Sequence, residues 1–138
     1  MDIEIVLIED DANDAELAFR AFKKNQLINQ IQWLKNGEEA LDYFLNPDNE
    51  DSAGSTNPQL ILLDIALPKV DGKEVLRQIQ QNSSTASIPV VVLIGSESEK
   101  EMIDWPGCRI DSFIVKPINF LKFNDTVKEI GLHWALKE

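Results

Sequence analysis

Apolar residues along the chain follow two spacings, and the alternation between them predicts the architecture. Ile3 to Ile8 is an apolar run ended by Glu9, Asp10 and Asp11, after which Ala15, Ala18, Phe19 and Phe22 fall at helical spacing. A strand, an acidic turn and a helix are expected there. A second strand is expected over Ile28 to Leu34, where Gln30 and Gln32 alternate with apolar residues as in a strand at a sheet edge. A helix follows. Asn36 is its N-cap, with Glu39 three residues on in a capping-box pattern ahead of Ala40, Leu41, Phe44 and Leu45. Residues 46–58 are rich in Asn, Asp, Ser and Gly and read as a long polar loop within a domain. Leu60 to Leu63 forms the third strand, ended by Asp64, and Pro68 with Asp71-Gly72 marks a turn. Asp71 and Glu74 cap a helix carrying Val75, Leu76 and Ile79. Val90 to Ile94, opened by Pro89, is the fourth strand, and Ser112 to Val115, closed by Lys116-Pro117, is the fifth. Residues 97–105 between them are weakly helical. The last helix is expected over Phe120 to Leu136, with Phe120, Phe123, Val127, Ile130 and Trp134 on one stripe.

Five strands alternating with helices predict a parallel sheet covered on both faces, because each parallel crossover here is a helix. In such sheets, ligands gather at the carboxyl ends of the strands, near the point where strand order reverses. Glu9 and Asp10 end the first strand, Asp64 the third and Lys116 follows the fifth. With strand order 2-1-3-4-5 the first and third strands are neighbours and their acids converge. At ~4 Å and an effective dielectric near 20, each carboxylate pair repels by about 4 kcal/mol, so the cluster requires a divalent ion or a proton. An all-oxygen donor set with room for water and phosphate fits Mg²⁺ better than Ca²⁺ or Zn²⁺. Beside such an ion, Asp64 is the candidate nucleophile toward phosphorus, with Lys116 and the metal holding the phosphoryl oxygens. Glu9 and Asp10 are paired as metal holders.

Composition narrows the partners. The 138 residues, 43% of them hydrophobic, suit one domain over 1–138 with a single sizeable core. A formal net charge of -11 and a pI near 4.5 argue against nucleic acid and anionic membrane surfaces. Cys108 has no partner for an internal disulfide, and no leading apolar segment or membrane-length run is present, so a cytoplasmic location is expected. His133 has no metal-ligand companions and is assigned to a surface or dimer contact, and Cys108 to an inert buried thiol. Trp33, Trp105 and Trp134 lack basic surroundings and are assigned to packing.

Three segments carry a family likeness. Ile8-Glu9-Asp10-Asp11, Leu62-Leu63-Asp64-Ile65-Ala66-Leu67-Pro68-Lys69-Val70-Asp71-Gly72 and Phe113-Ile114-Val115-Lys116-Pro117 resemble the receiver domain of two-component response regulators. Within that family the chain is similar to the stand-alone receivers paired with bacterial and cyanobacterial phytochromes. These share the polar loop before the third strand, the phrase Ile88-Pro89-Val90-Val91-Val92-Leu93 and a last helix ending in aromatics. The resemblance implies a flavodoxin-like, doubly wound five-stranded sheet and a phosphoryl group accepted on Asp64 from a sensor histidine kinase, such as a bacteriophytochrome, with Mg²⁺ as cofactor. It implies that Asp10 binds the metal directly, Glu9 through water, Asp64 as ligand and phosphorylation site, and Ala66 through its backbone carbonyl. Lys116 would contact the phosphoryl group and precede a cis proline, and Phe113 would be the aromatic whose rotamer reports phosphorylation. Such a protein is a phosphoacceptor, self-phosphorylating from small donors and autodephosphorylating, and not an enzyme in the usual sense. A homodimer through the C-terminal region is also implied.

Two positions depart from the family pattern. Ile94 stands where Thr or Ser usually ends the fourth strand, so the usual hydroxyl donor is missing, with Ser96 as a displaced substitute. Ile94 also fills the space an inward-turned Phe113 would enter. Ala66 stands where Asn is common. Ile94 favours one alternative, a pseudo-receiver that binds proteins without phosphorylation. A phosphatase of the haloacid dehalogenase type would need a second acid at Ala66, and a nucleotide-binding domain would need a glycine-rich phosphate loop that the chain lacks.

Overall fold

The computed structural model describes residues 4–24, 31–46, 58–67 and 71–131. The expected start of the second strand at Ile28, nearly all of the polar loop, Pro68, His133 and Trp134 lie outside the described residues. Among the described residues, five strands, β1 (Ile5–Ile8), β2 (Ile31–Leu34), β3 (Leu60–Asp64), β4 (Val90–Ile94) and β5 (Ser112–Val115), alternate with five helices. The helices are α1 (Ala12–Lys24), α2 (Gly37–Leu45), α3 (Gly72–Gln81), α4 (Glu97–Met102) and α5 (Phe120–Glu129). The strands form one parallel sheet in the order β2-β1-β3-β4-β5, with β2 at an edge, as its polar alternation implied.

The near-continuous apolar strands make two cores. Side chains alternate across a strand, so Val6, Ile8, Ile61, Leu63, Val90, Val92 and Ile94 meet α2 and α3 on one face through Ala40, Phe44, Val75, Leu76 and Ile79. Ile5, Leu7, Leu60, Leu62, Val91 and Leu93 meet α1 and α5 on the other face through Ala15, Ala18, Phe22, Phe123 and Val127. Each such Leu, Ile or Phe withdrawn from water contributes roughly 1.5–3 kcal/mol. The central strands need this covering on both faces because they carry no polar face to present to water.

Helix starts follow the expected caps, with one change. Asn36 Oδ1 accepts the Glu39 N–H at 2.9 Å, and the Glu39 carboxylate reaches back to the Lys35 N–H at 2.7 Å. Asp71 caps α3 through the Lys73 N–H at 3.0 Å, while Glu74 turns forward to pair with Arg77 and takes no part in the cap. The last helix is shorter than its apolar stripe suggested. It stops at Glu129, where Gly131 at φ 84 accepts the left-handed conformation that closes a helix and donates its N–H to the Lys128 carbonyl.

Candidate functional site

Register brings the strand tips together. Ile8 pairs with Leu63, so Glu9 lies level with Asp64, and Ile94 pairs with Val115, so Lys116 emerges at the same edge. Glu9 and Asp64 are almost fully buried, at 1% and 2% exposure, whereas Asp10 is exposed at the open side. One carboxylate oxygen from each of Glu9, Asp10 and Asp64 falls within 4.8 Å of the others. Lys116 Nζ lies 3.2 Å from Glu9 Oε1 and 3.3 Å from Asp64 Oδ1. The Lys116-Pro117 bond is cis, as the resemblance implied.

Local structure explains how the acids are held. The Glu9 N–H donates to the Leu34 carbonyl at 3.0 Å, and the Glu9 carbonyl accepts the Trp33 indole N–H at 2.7 Å. Asp11 begins α1, with its Oδ1 accepting the Asn13 and Asp14 N–H groups at 2.8 and 3.1 Å. Asp64 Oδ1 accepts the Ala66 N–H at 3.2 Å, which fixes the carboxylate against the turn that carries Ala66.

Crowding of negative charge shows in the protonation of the site. Burial, then a hydrogen bond to Asp64 and the Asp64 charge, push the Glu9 carboxyl up to about 8, against a smaller lowering by Lys116. Partial desolvation, and then the Asp64 charge, also raise Asp10. Burial works to lower Lys116, but Asp14, Asp64 and Glu9 outweigh it and hold the ammonium charged beyond the usual lysine range. Burial and the neighbouring negative charge thus favour a proton on Glu9 when no cation is bound. Among the described residues, a donor set of two buried carboxylates and one exposed carboxylate, without His or Cys, fits a hard divalent ion of the Mg²⁺ type.

Ile94 is fully buried in the α2–α3 core, and the half-buried Phe113 packs against that same cluster. Lys100 Nζ covers the Phe113 ring at 5.6 Å from its centroid. Ser96 is exposed and its hydroxyl bonds to Ser98 at 3.0 Å. Cys108 is half-buried, not fully enclosed, and burial raises its thiol pKa, which suits an unreactive group.

Two residues of the site were not anticipated. Asp14 Oδ2 lies 2.9 Å from Lys116 Nζ, the shortest of that lysine's three carboxylate contacts. In sequence it is indistinguishable from an acid compensating a helix dipole. Trp33, expected only to pack, also fixes the Glu9 backbone. No local pattern announces a bond between residues 24 positions apart.

Known proteins share this fold. The model of the response regulator receiver domain matches residues 5–128. A probable methanogenesis regulatory protein, FilR2 of Methanothrix harundinacea, is 38% identical over 130 residues, covering 94% of this chain and 82% of FilR2. Response regulator Rcp1 of Synechocystis is 35% identical, covering 94% of this chain and 87% of Rcp1. Its solved Mn²⁺-bound form superposes with a TM-score of 0.71 at 31% identity, over 97% of this chain and 99% of that one. The bacteriophytochrome response regulator AtBRR superposes with a TM-score of 0.86 at 36% identity, over 100% of this chain and 99% of that one. In family and fold, then, this chain belongs to the response regulator receiver domains, alongside phytochrome-associated members.

Proposed function

We propose that this chain is a single-domain phosphoacceptor of a two-component phosphorelay, taking a phosphoryl group from a histidine kinase onto Asp64 in a Mg²⁺-dependent reaction. The observation that carries the reading is the meeting of Glu9, Asp10 and Asp64 with Lys116 at one sheet edge. Glu9, Asp10, Asp64 and the Ala66 carbonyl would hold the ion, which when bound would neutralise Asp64 toward an incoming anion and orient the phosphoryl oxygens. An Asp64 carboxylate oxygen attacks phosphorus, the bond to the donor histidine nitrogen breaks, and the imidazole keeps the electron pair. Lys116 donates to the transferred phosphoryl group. Binding of Mn²⁺ by Rcp1 supports a divalent ion here by similarity.

The proposed kinase partner is of the bacteriophytochrome type, by similarity to AtBRR, and the reading includes a homodimer through the C-terminal region and a cytoplasmic location. No helix among the described residues is long and apolar enough to cross a membrane. A pseudo-receiver is the second reading, favoured by the apolar Ile94 at the tip of β4.

Acetyl phosphate and Mg²⁺ followed by intact-mass measurement tests the proposal. A mass gain of one phosphoryl group, absent in Asp64→Asn and in EDTA, is expected. An unchanged mass in the unaltered chain favours the pseudo-receiver, and fast release of inorganic phosphate from varied esters favours a phosphatase.

A further inference from the structure

Lys116 touches carboxylates of two kinds. Glu9 and Asp64 belong to the group of oxygens that converge within 4.8 Å, whereas Asp14, at 2.9 Å, is not a member of it. Asp14 sits in the first turn of α1, its backbone N–H bound to the Asp11 carboxylate at 3.1 Å, so its position is set by the helix and not by the cluster. Its side chain is 34% exposed, and that of Lys116 only 20%. A divalent ion drawn to Glu9, Asp10 and Asp64 would take two of the three carboxylate partners that Lys116 has among the described residues, and would repel its ammonium. Asp14 is the partner that stays.

We propose that Asp14 is a positioning residue for Lys116, holding the ammonium at the rim of the acidic cluster so that a divalent ion and the lysine occupy the site together. The inference rests on the metal-assisted reading above. Without the Asp14 charge, the ammonium settles between Glu9 and Asp64 and competes with the ion for the same oxygens.

A double-mutant cycle on Mg²⁺ affinity tests this, using calorimetry on the full chain with Asp14→Asn, Lys116→Met and both together. Asp14→Asn is expected to weaken Mg²⁺ binding about fivefold more when Lys116 is present than in the Lys116→Met background, roughly 1 kcal/mol of coupling. If Asp14 acted only as a nearby negative charge, its loss would cost as much or more once Lys116 is gone, and that result overturns the proposal. In ¹⁵N-labelled protein, the Lys116 ammonium signal should survive Mg²⁺ saturation and vanish in Asp14→Asn. Its loss on adding Mg²⁺ to the unaltered chain also overturns the proposal. An unaltered chain that binds no Mg²⁺ sinks the metal-assisted reading itself, whereas binding with an additive cycle sinks only the role of Asp14.

Discussion

Glu9 is the residue whose charge state most directly ties the site to stability. Its carboxyl is raised from 4.5 to about 8 by burial and by Asp64, so between those pH values the folded chain keeps a proton that the unfolded chain has released. Stability in the absence of metal should therefore fall as pH rises through this window. Urea unfolding at pH 5 and pH 8 in EDTA measures this, and Glu9→Gln, which is neutral throughout, should flatten the difference. A slope unaltered by that substitution would place the proton elsewhere. The same linkage requires a proton to leave when a cation binds, so Mg²⁺ affinity should weaken as the pH drops below 8. At Ile94 the residue-scale question is steric. With Ile94 buried against the cluster that Phe113 packs on, and Lys100 over the outer ring face, phosphorylation should turn Phe113 inward less than it does in Ile94→Thr. Side-chain NMR of Phe113 in phosphate-mimic complexes of both forms decides this, and equal rotation in the two would refute it.

Elements were readable wherever a local signal carried them. The Asn36–Glu39 pattern was sufficient to place the start of α2, because the side chains that satisfy orphan N–H groups are neighbours in sequence. Asn36→Ala should cost about 1 kcal/mol, seen as a lower urea midpoint with an unchanged slope. The short α4 shows why its segment read as weakly helical. It buries no residue, Ser96 supplies no side-chain cap bond, and instead Glu99 Oε1 accepts the Gly95 N–H at 3.0 Å. At the other limit, the stripe through Phe123 and Val127 continued past the true end of α5, because periodicity measures which face is apolar and carries no information on where a left-handed glycine stops the helix.

At the scale of the whole molecule, the sheet order creates the site, and the outer helices create the remaining surface. Leu121 on α5 and Met102 on α4 are 72% and 81% exposed, apolar area that the two cores leave uncovered. Of these, Leu121 lies in the C-terminal region through which the homodimer is proposed, and sedimentation velocity should show that dimer as a mass rising with concentration over the micromolar range. A concentration-independent monomer would remove it. By itself the sequence determined the alternation of strands and helices, the acids and the lysine at strand ends, and the parallel sheet, since runs such as Leu60–Leu63 and Val90–Ile94 are apolar on both sides and can only be central. It also determined the family, through residues 9–10, 64 and 116 in their strand-end contexts. Tertiary structure alone sets Asp14 against Lys116, ties Trp33 to the Glu9 carbonyl and raises the Glu9 pKa through burial and Asp64. These depend on distances between atoms far apart in the chain and on exclusion of water. Both arise when β1, β3 and β5 end at one edge of a closed-packed sheet.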